Sequence, residues 1–308
     1  MLAVLGALFA NGLITILKFI GAVVTGSSGM MAEALHSLAD TTNQVFLLLG
    51  LRFYERPASE KHPFGYGKER FFWSFIAAIF IFGVGATYAI YEGIDKVRHP
   101  HEPGNLAWAY WVLGISFVLE AGSIALALYQ EIGEAHHEGL SFKEYLKESK
   151  DPTAKTVIFE DSAALLGIVI AAAGLLLGQY KVAPAGGTLW DGIASITIGV
   201  VLAIVAFSLA RSSRGLLLGE AATRKSVKAI RNAVKEHPNV NEIIELLTMH
   251  LAPKQILVNA HVNLKAGLTN EEIIQTIAEI EEKMKQAEPK VDKIFLETAG
   301  IKQVKSDK

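Results

Sequence analysis

His36 and Asp40 are the residues of this chain best suited to chemistry, an imidazole and a carboxylate four positions apart inside the apolar stretch Met30 to Phe53. On a helix that spacing stacks them on one face, with Leu35, Leu38 and Leu47 spread around the rest. The pair is then half of a metal site. An ionisable side chain at membrane depth costs about 2.5–3.5 kcal/mol, so two on one face point to function. The competing account is a polar helix contact held by interhelical hydrogen bonds. Cysteine is absent from the 308 residues. With no thiolate, a metal would be held by imidazole and carboxylate, a donor set suited to zinc, manganese, iron or cobalt rather than copper(I).

The elements that must carry these residues are membrane spans. The chain is 51% hydrophobic and 19% charged, with mean hydropathy +0.33. Apolar blocks of spanning length run to about Leu218, and Lys and Glu dominate beyond it, which divides the chain into residues 1–218 in the lipid bilayer and 219–308 outside it. The blocks number six: about Leu2 to Val24, Met30 to Phe53, Phe71 to Ile94, Leu106 to Tyr129, Thr156 to Leu177 and Leu189 to Leu209. The first is too long, and too soon followed by a second, for a cleaved signal peptide. Lys18 within it either snorkels or pairs with a carboxylate. Six spans return both ends of the membrane part to one side. The basic loop Arg52 to Arg70 and the residues Arg211, Arg214, Arg224 and Lys225 make that side cytoplasmic, with Lys96 and Arg98 as a minor dissent. A net charge of -2 and the lack of a basic run exclude a nucleic-acid partner.

The remaining residues form a small α+β unit. Val227, Ile230 and Val234 have helical spacing; Val240 to Met249 and Gln255 to Leu264 read as strands about the turn Ala252-Pro253-Lys254. Thr269 with Glu272 forms a capping box for a helix to about Gln286, and Val291 to Thr298 is the last strand. The order αββαβ is ferredoxin-like. A unit of roughly 80 residues is small enough that a partner surface would help to stabilise it.

Six spans, His-x-x-x-Asp on the second, an acidic residue early in the fifth, the loop His62-Pro63-Phe64-Gly65-Tyr66-Gly67-Lys68 and the αββαβ tail together resemble the cation diffusion facilitator family of divalent-metal transporters. The resemblance covers nearly the whole chain. It implies a homodimer in a bacterial inner membrane, with its C-terminal domain cytoplasmic, that exports a divalent cation in exchange for protons. Zinc is the first expectation, with iron, manganese and cobalt also accepted. The cation would be transported substrate rather than cofactor, and the protein would not be an enzyme. Residue by residue, the resemblance implies that His36, Asp40 and Asp161 are metal ligands.

The family pattern breaks at Val157, which stands where a ligand is common, four residues before Asp161. Glu160, about 100° round the helix from Asp161, is the candidate fourth metal ligand; it could instead pair with Lys18 or carry protons. Glu120, at membrane depth in the fourth span, is a second candidate, and water a third. His62 reads as a structural loop residue because its companion, Tyr66, is a poor ligand, while His136 and His137 read as part of a solvated acidic segment with Glu131, Glu134 and Glu138. Histidines of the family's tail metal cluster are replaced here by Ile244 and Leu296, so that cluster is expected to be absent. Two other functions compete with transport: a membrane-embedded metal-dependent hydrolase, disfavoured by the lack of a His-Glu-x-x-His motif or an evident nucleophile and base, and a non-transporting metal sensor, kept open by Val157.

Overall fold

The computed structural model describes residues 2–99, 104–137, 139, 141–148, 152–180 and 188–298. The proline turn with Pro100, His101 and Pro103, the glycine loop with Pro184, Gly186 and Gly187, and Glu138 lie outside the described residues. The chain divides into two compact units, residues 1–54 with 69–214, and residues 55–68 with 215–308.

In the first unit the helices are α1 Leu2–Thr25, α2 Ser28–Tyr54, α3 Glu69–Phe80, α4 Thr87–Arg98, α5 Leu106–His137, the short α6 Phe142–Glu148, α7 Pro152–Gln179 and α8 Thr188–Leu217. Glu69–Arg98, Leu106–His137, Val157–Gln179 and Leu189–Leu217 are long and apolar enough to cross a membrane. The 27-residue α2 is long enough too, at about 40 Å, but carries Glu33, His36, Asp40, Asn43 and Gln44. Small residues fill the interior: Ala22, Ala32, Ala39, Ala78, Ala86, Ala89, Ala109, Ala171 and Ala206 are all buried in one core. Large ones, such as Trp111, Val118, Ile204 and Phe207, are exposed on the outside. That inversion of a soluble core is what lipid selects, since helices gain by close backbone approach rather than by hiding apolar surface.

Between α3 and α4 the rod changes to a π-helical segment, Ile81–Ala86. The sequence reads here as one span, about Phe71 to Ile94, with no sign of a change in helical pitch. The wider turn leaves backbone carbonyls that Thr87 collects, its hydroxyl donating to Phe82 O at 3.0 Å. Beyond it α4 and α8 touch backbone to backbone: a Cβ on Gly93 would lie 2.7 Å from Gly192 O, and one on Gly199 3.0 Å from Ala86 O. Ser195 Oγ adds a hydrogen bond to Ala89 O at 2.8 Å.

The start of α2 is capped from another helix. Asp191 of α8 accepts from Ser27 Oγ at 2.6 Å, Ser28 N at 2.8 Å and Gly29 N at 3.1 Å, placing a carboxylate on the donor groups and positive dipole end of a helix N-terminus. Lys96 Nζ donates to Gly26 O at 2.6 Å, in the turn where Gly26 takes φ 61°.

The second unit contains α9 Arg224–Lys235, β1 Val240–Ala252, β2 Gln255–Leu264, α10 Asn270–Ala287 and β3 Val291–Thr298. Strand order is β1-β2-β3, antiparallel then parallel. Central β2 alternates as a half-buried strand should, with Ile256, Val258, Ala260 and Val262 buried against Ile230 and Val234 of α9 and Ile280 and Met284 of α10. Thr269 and Glu272 form the anticipated capping box. Phe64 of the 55–68 loop packs edge-on against Phe295 of β3, ring centroids 6.3 Å apart.

Candidate metal site

Four helices enclose a cavity of about 80 Å³, lined by Asn11 and Ile14 of α1, by Ser37, Asp40, Asn43, Gln44 and Leu47 of α2, by Glu120 and Ser123 of α5, and by Val157, Glu160 and Asp161 of α7. A single water needs only about 10–15 Å³ measured this way, so a cation with part of its hydration shell fits. The α2 contribution follows from helical repeat: Ser37, Asp40, Gln44 and Leu47 recur every three or four residues and share a face.

The structure brings Asp40 of α2 and Glu160 and Asp161 of α7 to the same cavity. His36 is buried and is not among the residues lining the cavity, its Nε2 3.3 Å from Asp40 Oδ2. Neither ring nitrogen of His36 makes a hydrogen bond to the described residues. Asp161 Oδ2 accepts from Ser123 Oγ at 2.9 Å, and Glu160 Oε2 accepts from Asn43 Nδ2 at 2.5 Å. Other buried oxygens are left over: Asp40 Oδ1, Asn43 Oδ1, Gln44 Oε1 and Glu160 Oε1 have no donor among the described residues. Orphaned buried acceptors cost about 1–3 kcal/mol each, and a group of acceptors without donors is the environment that a cation, or protons, relieves. Among the described residues no three His, Asp or Glu side chains already converge to metal-binding distance.

Lys18 pairs with Glu33 at 3.1 Å and lies 3.9 Å from Glu120. The sequence left Lys18 a choice between snorkelling and pairing, and the structure shows pairing. Glu160, weighed above as its partner, is held by Asn43 instead. Sequence reasoning passed over Glu33, Asn43 and Ser123. A signal existed for two of them: Glu33, His36, Asp40 and Asn43 continue one 3-4-3 stripe along α2, and reading only His-x-x-x-Asp stopped short at both ends.

The loop histidine His62 stacks on Tyr66, with ring centroids 4.5 Å apart. In the tail, His237 Nε2 lies 2.9 Å from Glu279 Oε2. The bonds from His237 and then Gln275 hold the Glu279 carboxyl below its ordinary value.

Comparison with known proteins agrees with this architecture. Residues 4–218 match the cation efflux transmembrane domain, and residues 222–297 match the cytoplasmic domain of cation efflux proteins. The chain belongs to the cation efflux, or cation diffusion facilitator, family. Among its relatives, the human mitochondrial proton-coupled zinc antiporter SLC30A9 is 31% identical over 285 residues, covering 91% of this chain and 50% of that protein. Metal tolerance protein C4 of Arabidopsis thaliana is 33% identical, covering 86% of this chain and 57% of its own length. Cation-efflux pump FieF of Shewanella oneidensis is 26% identical, with 83% and 79% covered. The chain thus spans about half the length of several curated relatives it matches. A transporter family of integral membrane proteins, not an enzyme family, is what the match establishes, and the membrane-embedded hydrolase is set aside.

Proposed function

We propose that this protein exports a divalent cation, zinc first, from the cytoplasm in exchange for protons, through the cavity between α1, α2, α5 and α7. The single observation that carries the reading is the set of buried and half-buried carboxylates on that cavity, with oxygens that have no donor among the described residues. The names of the relatives, a zinc antiporter and a cation-efflux pump, support the cargo and its direction.

Asp40, Asp161 and Glu160 are the proposed ligands, and His36 joins them by turning its imidazole from the side of Asp40. One imidazole with carboxylates is acceptable to zinc, and also to manganese, iron and cobalt. Ligands bind metal only when deprotonated, so each cation bound displaces protons and each proton taken up weakens metal binding. That competition couples the two fluxes. Alternating exposure follows from rocking of the tightly joined α4 and α8 against the other helices. The tail, cytoplasmic in this proposal, pairs two copies as a homodimer, and the membrane is a bacterial inner membrane.

The test is the purified full chain in sealed vesicles with an imposed pH gradient. Zinc movement that dissipates the gradient is expected. Zinc flux without proton movement overturns the exchange; no flux of zinc, iron, manganese or cobalt overturns transport and leaves the sensor reading.

A further inference from the structure

Lys18 is an expensive residue to keep where it is. Its side chain is fully buried in the membrane unit, as is that of Glu33, and an ion pair removed from water on both sides rarely stabilises a fold as much as apolar packing would. The surroundings are nevertheless built to hold it. The chain has glycine at position 167 of α7, where any Cβ would collide with Glu33 Oε1. Glu33 Oε2 accepts from Lys18 Nζ at 3.1 Å. A second carboxylate oxygen, Oε1 of Glu120, lies 3.9 Å from the ammonium, and Glu120 lines the cavity with Asp40, Glu160 and Asp161. The ammonium therefore bridges a carboxylate that does not reach the cavity and one that does. The charged or ionisable groups around it are Glu33, His36 and Asp40 on α2 and Glu120 on α5.

We propose that Lys18 is a positioning residue that competes with the transported cation for Glu120, keeping that carboxylate out of the metal's coordination shell and so holding affinity low enough for release. This deepens the transport-site reading and rests on it. A cavity with four carboxylates would hold a divalent cation too tightly to let it go, since each additional anionic ligand raises affinity and conduction needs binding weak enough to leave. Lys18 satisfies one of the four from within the protein. A bound cation then meets three carboxylates and His36, and Glu120 stays with its ammonium.

The experiment measures zinc affinity of the full chain in detergent, by competition with a chromophoric chelator, beside zinc turnover in vesicles. Lys18→Met with Glu33→Gln removes the ion pair as a neutral unit and frees Glu120. Affinity should rise at least tenfold and turnover at saturating zinc should fall. Adding Glu120→Gln should return affinity to within threefold of the parent, because the gain passes through that carboxylate. Lys18→Met alone should shift affinity in the same direction, so either variant that folds decides the matter. An unchanged or weaker affinity, or a gain that survives Glu120→Gln, overturns the proposal. Failure of the underlying reading looks different: zinc binding then persists in Asp161→Ala, and the Lys18 proposal falls with it. If Asp161→Ala abolishes binding and the Lys18 variants show no gain, only the Lys18 proposal falls.

Discussion

Two levels of buried charge lie on α2, about 10 Å apart along its axis, and they are treated in opposite ways. At Glu33 one carboxylate oxygen, Oε2, is matched from within the protein by Lys18, while Oε1 has no donor among the described residues. Two turns later, Asp40 and the Glu160 and Asp161 carboxylates of α7 share a cavity containing oxygens with no donor among the described residues. One helix thus carries a charge whose counter-ion is covalently part of the chain and charges whose counter-ion must arrive. On the proposed reading the difference separates structure from site without appeal to motif: an acid with a fixed cationic partner belongs to the fold, and acids gathered without one are suited to take up a cation or protons.

The sharpest way to break that contrast is at the unmatched level. Asp40→Ala and Asp161→Ala should each reduce zinc flux by at least a hundredfold (on the order of 2.7 kcal/mol) while the purified protein stays folded. Normal flux in a folded Asp161→Ala protein would sink the assignment. The matched level should respond in stability instead. Glu33→Ala leaves a buried ammonium short of its nearest partner and should cost about 3–5 kcal/mol, read as a lowered melting temperature of the full chain in detergent; an unchanged melt would show that Glu120 alone suffices for Lys18. A smaller effect is expected where the two helices meet. Glu160→Gln should weaken zinc binding about tenfold, equivalent to 1.4 kcal/mol, and Val157→His should strengthen it, since Val157 lines the same cavity as Asp40 and Asp161. The smallest lies in the tail, where the His237–Glu279 contact joins a buried imidazole to a solvent-facing carboxyl. Because the Glu279 carboxyl is held below its ordinary 4.5 in the fold, its contribution is present above that pH and fades as pH falls through the lower folded value. Glu279→Gln should lower tail stability slightly at neutral pH and leave it unchanged once the pH is well below the lowered folded value, measured by thermal melts from neutral to acid pH.

Much of this was legible beforehand, for identifiable reasons. Apolar residues recur at alternate positions from Ile256 to Leu264, so β2 could be placed at Gln255–Leu264 from the sequence pattern, and Thr269 with Glu272 marked the start of α10. His36 and Asp40 stood out because charge is rare in apolar stretches. The π segment was not legible: Gly83 and Gly85 permit a local change of helical pitch but do not demand one. Glu33 escaped notice because it lies near the α1–α2 turn, where an acid can equally face water.

What the sequence determined by itself is therefore the local and the periodic: apolar runs long enough to span, a stripe of ionisable residues on one helix, caps and strands in the tail. These depend on neighbours within a few residues along one chain segment. Only the tertiary structure decided which charge met which. Lys18 is 15 residues from Glu33 and Asn43 is 117 from Glu160, and no spacing rule chooses among five acids for one lysine. That choice is made by the rotation and depth of four packed helices, set by alanine and glycine contacts spread over all of them, and it is what puts Glu33 and Glu120 beside Lys18 while Asp40, Glu160 and Asp161 line the cavity.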